Sequence, residues 1–491
     1  MAPGLIFTIC SCALLIAVVY ATLEATGNHD TELTEDAIRE KRGLRGRHRH
    51  RHRSHRQGDG DGDGDEDGDD NVRSGRGRGG GRRRRPGRGR RPGGRRGGRG
   101  QRRIASATDL SDMPQRAQRL ITALVGAQNS FTANLHRQVG QPVTDVVYSP
   151  FSLHQALTMT FMGAMGNTAF QMKRTLALQG LGRRTRRAAK KLNEVISHSG
   201  NATLKTANGV YVKAGLTVVD DFTESLRVFY QANISSFDWE HPDGPEGPIN
   251  EWVSEQTNNL IPNLVAPDTI DSLTAMILVN AIYFKAKWKT PFTPSLTTQQ
   301  MFRKSRTEQV PVQMMQVEGM FKLGTVPGHA ARILELPYED DRFSMLVMLP
   351  NEIEDLPTLE NGLTVDLLAS RLDTVVASDL KVYLPRFKLE TAISVKESLQ
   401  NMGMTNPFLR GMADFSGIVS TRQLYISDVL HKAVVDVNEI GSEAAGASAV
   451  IISLESLRIM PEIRCDHPFL FIIRDNVSKA NLFIGKFSGG A

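Results

Sequence analysis

Cysteine is nearly absent from this chain: three residues in 491, two of them, Cys10 and Cys12, inside an apolar N-terminal stretch. With that stretch removed, Cys465 stands alone and no internal disulfide can form. The fold must then be held by its core. A lone thiol could pair with a second molecule, and a buried structural cysteine is the other reading. Long apolar runs are also lacking. Residues 5–20 form the only one, too short to span a bilayer comfortably. It reads as a signal peptide over residues 1–21, with Val19-Tyr20-Ala21 as a small-residue cleavage site, Ala25 a second option and an uncleaved anchor the alternative. No other stretch is a membrane-span candidate.

Acidic residues are missing from residues 73–103, which hold 15 arginines and no Asp or Glu. Removing those arginines from the formal total of +7 leaves −8 for the rest of the chain. The pI of about 9.3 therefore belongs to one segment. Residues 22–106 are low in complexity throughout. A His/Arg tract at 47–53 is followed by a Gly/Asp repeat at 59–70 and then the Arg/Gly block. With so little apolar surface to bury, this tail is expected to be disordered.

Signatures of catalysis are absent as well. The sequence has no metal-ligand cluster and no phosphate loop, so it does not read as an enzyme. Asp59, Asp61, Asp63, Gly64 and Asp70 come near a calcium-loop spacing. The closing Glu is replaced by Asp and no helices flank the segment, so no metal site is expected there. The His/Arg tract could hold zinc or titrate as a pH-dependent polycation, but a plain basic tail explains it.

What is present begins near Ser111-Asp112-Met113-Pro114, a helix-start signal. Leu120, Leu124, Ala127, Phe131 and Leu135 then recur at helical spacing. Further helices are expected after Ser152, over 249–260 and over 394–402. Strands are expected over 206–212, 275–284, 343–349, 380–384, 431–437, 469–473 and 480–487. Helices and strands mixed without a βαβ rhythm indicate one large α+β domain over 107–491.

One segment has too many small residues for its place. It runs Glu439-Ile440-Gly441-Ser442-Glu443-Ala444-Ala445-Gly446-Ala447-Ser448-Ala449-Val450-Ile451-Ile452. If it entered a sheet, Ser442, Ala444, Gly446, Ser448 and Val450 would face one side. The first four are small enough to slide between strands. The stretch also contains no proline, which a central strand could not accept.

Several longer motifs resemble the serpin superfamily, over roughly residues 113–491. They are Tyr148-Ser149-Pro150-Phe151-Ser152-Leu153, Leu278-Val279-Asn280-Ala281-Ile282-Tyr283-Phe284-Lys285-Ala286-Lys287-Trp288, Leu424-Tyr425-Ile426-Ser427-Asp428-Val429 leading to His431-Lys432-Ala433, and Asp466-His467-Pro468-Phe469-Leu470-Phe471. The resemblance implies a serpin fold: three β-sheets, eight or nine helices and an exposed reactive loop over about 439–465. It implies a suicide-substrate inhibitor of a serine protease. The protease cuts the loop and forms an acyl-enzyme, and the cut loop enters the main sheet. It makes Ser149, Ser152, Asn280 and His431 the shutter beneath that sheet, Trp288 the breach residue where the loop enters, and Glu439, Gly441–Ser448 the hinge. Ile440 departs from the Glu often found there. Family spacing from Gly441 places the cut at Glu455-Ser456, with Leu454 and Arg458 as alternatives. The other class kept open is a non-inhibitory serpin acting as a polyanion-binding carrier or chaperone.

Arg183, Arg184, Arg186, Arg187, Lys190 and Lys191 put six cations into nine residues. Like charges at helical spacing repel, so a polyanion partner is expected, and in the serpin layout heparin-like glycan is the match. No other cofactor is expected. Asn201, Asn233 and Asn476 begin glycosylation sequons. A secreted, extracellular monomer follows, with a target protease and sulfated glycan, acidic surface or anionic lipid as partners and nucleic acid not among them.

Overall fold

The structure, a computed structural model, describes residues 110–139, 144–198, 200–369, 375–421, 424–442 and 460–490. The signal peptide, the low-complexity tail, the hinge from Glu443 onward and the proposed cut at Leu454, Glu455, Ser456 and Arg458 lie outside these residues.

The chain opens with α1 (Gln115–Val139), whose apolar stripe Leu120, Leu124, Ala127, Phe131 and Leu135 is buried as its spacing requires. A short strand β1 (Val146–Tyr148) leads into α2 (Pro150–Phe161). Ser149 caps α2: its Oγ accepts the Ser152 amide at 3.1 Å, and Pro150 fills the first turn, where no amide is needed. Then follow α3 (Gly166–Thr175), α4 (Thr185–Ile196), β2 (Thr203–Val212), α5 (Asp220–Tyr230), β3 (Asn233–Ser236), α6 (Gly247–Gln256) and β4 (Met276–Lys285). Next come β5 (Thr298–Arg303), β6 (Gln309–Thr325), β7 (Ala331–Pro337), β8 (Phe343–Pro350), α7 (Leu356–Asn361), α8 (Val365–Leu368), β9 (Ser378–Pro385), β10 (Phe387–Ser394) and α9 (Lys396–Asn401). The last strands are β11 (Asp428–Val437), β12 (Glu462–Arg464), β13 (Phe469–Asp475) and β14 (Asn481–Phe487).

Nine α-helices occur among the described residues, as the resemblance implies. The strands form three sheets, two of which share β6. Its first part pairs with β5 and β9, and its last four residues pair with β7. Counted through β6 this is a nine-stranded array, and the third sheet has five strands in the order β10-β11-β4-β2-β3.

The centre of the five-stranded sheet is buried on both faces. On β4, Met276, Leu278, Ile282 and Phe284 belong to the main core, while Ile277, Val279 and Ala281 belong to a second core beneath α6. Period-2 alternation between two apolar cores explains why this strand reads as an unbroken apolar run. Phe284 ties the sheets together, with its ring 5.2 Å from Tyr338, 5.3 Å from Phe343 on β8 and 6.2 Å from Phe483 on β14.

Some expected boundaries move. The helix expected over 249–260 ends at Gln256. Thr257 turns its hydroxyl back to the Val253 carbonyl at 2.7 Å, and Asn258 and Asn259 take left-handed backbone, which asparagine tolerates and which stops a helix. Strands β5, β6, β7 and β10 were not evident from pattern, because their burial mixes exposed and buried positions and β6 contains Pro311.

Truncating Phe284 to Ala should cost about 3–5 kcal/mol, because a fully buried ring is removed from the junction of three elements. Urea denaturation checks this; a loss under about 1 kcal/mol would show that the junction collapses to fill the space.

Candidate functional site

The five-stranded sheet has an unusual centre. β4 and β11 lie directly beside each other and run parallel, paired from Asp428↔Ile277 to Val434↔Tyr283, while their outer neighbours β2 and β10 are antiparallel to them. Beyond Val434↔Tyr283 this ladder stops, and the continuation of β4 pairs with the hinge instead.

The hinge is built by a tight turn after β11. Asn438 Oδ1 accepts the amides of Ile440 and Gly441 at 3.1 and 3.2 Å, and its own amide donates to the Gly441 carbonyl at 2.9 Å. The reversed chain then lies antiparallel on the continuation of β4. Trp288 N donates to the Ile440 carbonyl at 2.8 Å, Ser442 N donates to the Ala286 carbonyl at 2.7 Å, and Gly441 bridges Lys287. Only glycine fits at 441, since a Cβ there would sit 2.0 Å from the Ala286 carbonyl oxygen. Glu439 is held by the Thr297 hydroxyl at 2.8 Å, with Arg386 at 4.0 Å from its other oxygen.

Trp288 stands at this entrance as expected. Its indole N–H donates to the Asn438 carbonyl at 2.9 Å, and its ring stacks on Tyr338 at 4.4 Å. Tyr338 was not singled out from sequence. Its hydroxyl pairs with Ser442 Oγ at 3.0 Å, and Ser442 is fully buried. The first inward-facing hinge residue is thus already seated.

The four expected shutter residues meet beneath the sheet and all are fully buried. His431 Nε2 accepts the Ser149 amide at 3.0 Å, so the ring is neutral with its proton on Nδ1, which donates to Asn280 Oδ1 at 2.5 Å. The same oxygen accepts the Ser152 hydroxyl at 2.8 Å, and Ser149 Oγ donates to the Leu482 carbonyl at 2.6 Å. The Asn280 amide donates to Asn208 Oδ1 on β2, a member that sequence reading missed. The network therefore joins α2, β2, β4, β11 and β14. Because His431 and Asn280 are opposite each other in the parallel ladder, it ties β4 to β11 at the middle of their pairing.

The basic cluster divides. Arg183 and Arg184 sit in a 3-10 turn, and α4 begins only at Thr185. Arg186 and Lys190 lie over the Phe229 ring at 5.4 and 5.8 Å, and Arg187 is exposed. Lys191 is paired with Glu194 at 2.7 Å, so it adds less free charge than the spacing implied. Cys465 is fully buried, and burial pushes its thiol up to about 12.

The three sequons differ in their surroundings. Asn476 donates its amide to the Asp341 carbonyl at 2.9 Å and to Ser344 Oγ at 2.8 Å, and Ser478 is 1% exposed and bonded to Asp475. Asn476 itself is half-buried. Asn201 is exposed in the turn before β2, and Asn233 begins β3. Among the described residues no group of His, Cys, Asp or Glu is arranged to hold a metal ion, and no helix is long and apolar enough to cross a membrane.

Burial lowers His431 from 6.5 to about 3 and His154 to about 4. Both bind protons more readily when unfolded, so their contribution is complete above pH 6.5 and is lost as pH falls toward those values. The melting temperature should drop steadily from pH 7 to pH 5, and His431→Gln should flatten the drop. A profile unchanged over that range would refute the neutral-shutter assignment.

Comparison with known proteins agrees with this geometry. The serpin family model, described as serine protease inhibitor, matches residues 126–489. Serpin B6 of Pongo abelii is 37% identical over 372 residues, covering 74% of this chain and 99% of that protein. The leukocyte elastase inhibitor of Bos taurus is 38% identical over 355 residues, covering 71% and 93%. Among solved structures, Serpin48 of the insect Tenebrio molitor superposes with a TM-score of 0.67 at 33% identity, covering 74% of this chain and 97% of that one. Uncleaved ovalbumin also gives 0.67 at 30% identity, covering 74% and 99%. The chain belongs to the serpin (serine protease inhibitor) family.

Proposed function

We propose that this chain is a secreted inhibitor that traps a serine protease as a suicide substrate. The observation that carries the reading is the parallel β4–β11 seam with the hinge engaged at its open end. The chain reverses after β11, so a strand entering the seam would run antiparallel to both neighbours. Such a strand would replace one parallel ladder with two antiparallel ones, which pair slightly better per residue. On the order of ten added hydrogen bonds at about 1 kcal/mol each would supply roughly 5–15 kcal/mol.

Register supports the small-residue hinge. Continuing the Lys287↔Gly441 pairing sets Ala444 opposite Phe284, Gly446 opposite Ile282 and Ser448 opposite Asn280. Those partners face the main core, which leaves little room for side chains. Ala445 and Ala447 would face Tyr283 and Ala281, on the side covered by α6. Both faces of the entering strand therefore call for small residues. The same register carries Glu455 past Met276, the first residue of β4, so a cut at Glu455-Ser456 frees enough chain to fill the seam.

The leader supports export, and the cluster Arg183, Arg184, Arg186, Arg187, Lys190 and Lys191 supports a sulfated glycan as accelerator. An acidic residue at the cut suits a protease with a basic specificity pocket.

Incubation with a protease panel should give an SDS-stable complex, and mass spectrometry of the released C-terminal peptide should begin at Ser456. A peptide beginning at Ile459 would move the cut to Arg458, and cleavage with neither complex nor a gain in thermal stability would favour a carrier. Ala444→Arg should leave loop cleavage intact while raising the stoichiometry of inhibition at least about tenfold, because burying an unpaired charge blocks insertion. On heparin resin the chain should elute at lower salt as Arg186→Ala with Lys190→Ala; unchanged elution removes this helix as the site.

A further inference from the structure

Two adjoining cavities lie between α2, α4, β2 and the end of α5. The larger, of ~320 Å3, is lined mainly by uncharged hydrogen-bonding groups, among them Gln155, Asn193, Asn208 and Gln231. The smaller, of ~10 Å3, shares Gln155, Asn193 and Tyr230 with it and adds Gln128. The Tyr230 hydroxyl and Gln128 Oε1 are buried without a hydrogen-bond partner in the protein, each on a side chain 5% exposed. Native proteins rarely leave such groups unpaired, and two beside one space point to a ligand or water that pairs them.

The basic face of α4 runs into this space. Arg186, Lys190, Asn193 and Ser197 follow one another along a single helical stripe. The first two lie over Phe229, Asn193 donates to the Phe229 carbonyl at 3.4 Å, and Asn193 and Ser197 line the larger cavity. Positive charge thus gives way to amides and hydroxyls along one track. Lys205 and Glu255, of opposite sign, are the charged residues in that lining. An uncharged, hydroxyl-rich group matches it, and the volume suits a sugar unit.

We propose that this cavity is a saccharide subsite, seating an uncharged sugar at one end of a sulfated chain held by Arg186 and Lys190. The proposal rests on the glycan reading given above. Tyr230 donates to a sugar oxygen, and Gln128 is reached by a sugar hydroxyl or through one water in the smaller space. Occupancy also bears on the sheet, because Asn208 both lines the cavity and accepts from the shutter residue Asn280. A bound sugar would hold β2 against β4.

The test uses the full chain, a heparin-derived hexasaccharide and, separately, N-acetylglucosamine in the millimolar range. Calorimetry and thermal melts are compared for wild type, Tyr230→Phe, and Arg186→Ala with Lys190→Ala. N-acetylglucosamine should raise the melting temperature saturably in wild type and in the double variant. In Tyr230→Phe only the linear rise common to excluded osmolytes should remain. Hexasaccharide affinity should fall about tenfold in Tyr230→Phe, while that variant alone melts no lower than wild type because an unpaired hydroxyl is gone. Hexasaccharide binding lost in the double variant but unchanged in Tyr230→Phe overturns the subsite and leaves the glycan reading standing. A linear response to the neutral sugar in every variant assigns the space to water and also overturns it. Failure of wild type to bind the hexasaccharide removes the glycan reading and the proposal with it.

Discussion

Seven residue pairs of parallel ladder between β4 and β11 are the constraint on which the rest of this molecule turns. Two strands in the middle of a sheet are held side by side in the same direction although each has an antiparallel neighbour on its other edge. The chain leaves β11 and reverses at once, so its next residues already have the direction that the seam would accept. The buried network of Ser149, Ser152, Asn280 and His431 lies beneath the centre of this seam, and the turn through Gly441 lies at its open end.

The hinge and the shutter use different physics. The hinge is a backbone fit: Asn438 closes the turn, glycine at 441 permits contact with the Ala286 carbonyl, and Tyr338 and Trp288 form a stacked floor on which Ser442 rests. The shutter is a fully buried polar network in which one asparagine oxygen receives both a serine hydroxyl and a histidine N–H. Such a network is strong only while every member is satisfied, and a neutral His431 is what satisfies the Ser149 amide. Parting β4 from β11 breaks the His431–Asn280 contact, so sheet opening and loss of the network are one event.

Much of this was legible before the structure. The small-residue run 439–449 was legible from composition, and Trp288, Ser149, Ser152, Asn280 and His431 stood in long motifs; the structure brings the last four together in one buried network. Strand β4 was legible because burial on both faces makes it continuously apolar. Other features were silent. Tyr338 sits alone between β7 and the loop to β8, and nothing in its neighbours announces that it will meet Ser442, 104 residues away. Asn208 looks like one polar interruption in a strand. Asn476 reads as a sequon in letters, and nothing in its neighbours announces that its amide bonds Asp341 before β8 and Ser344 on it. Strand β6 serves two sheets, which blurs the alternation by which a strand is recognised.

The sequence by itself determined the family, the composition of the hinge, the position of the basic helix and the polarity of the tail. These depend on residue order and residue size, which are local properties. Only the tertiary structure decided that Ser442 is already seated, that the shutter reaches Asn208 on β2, that Lys191 is neutralised by Glu194, and that α4's basic face ends at two unpaired buried polar groups. Those depend on which distant side chains arrive within about 3 Å of one another, the range in which hydrogen bonds and ion pairs act, and one-dimensional spacing does not encode that distance.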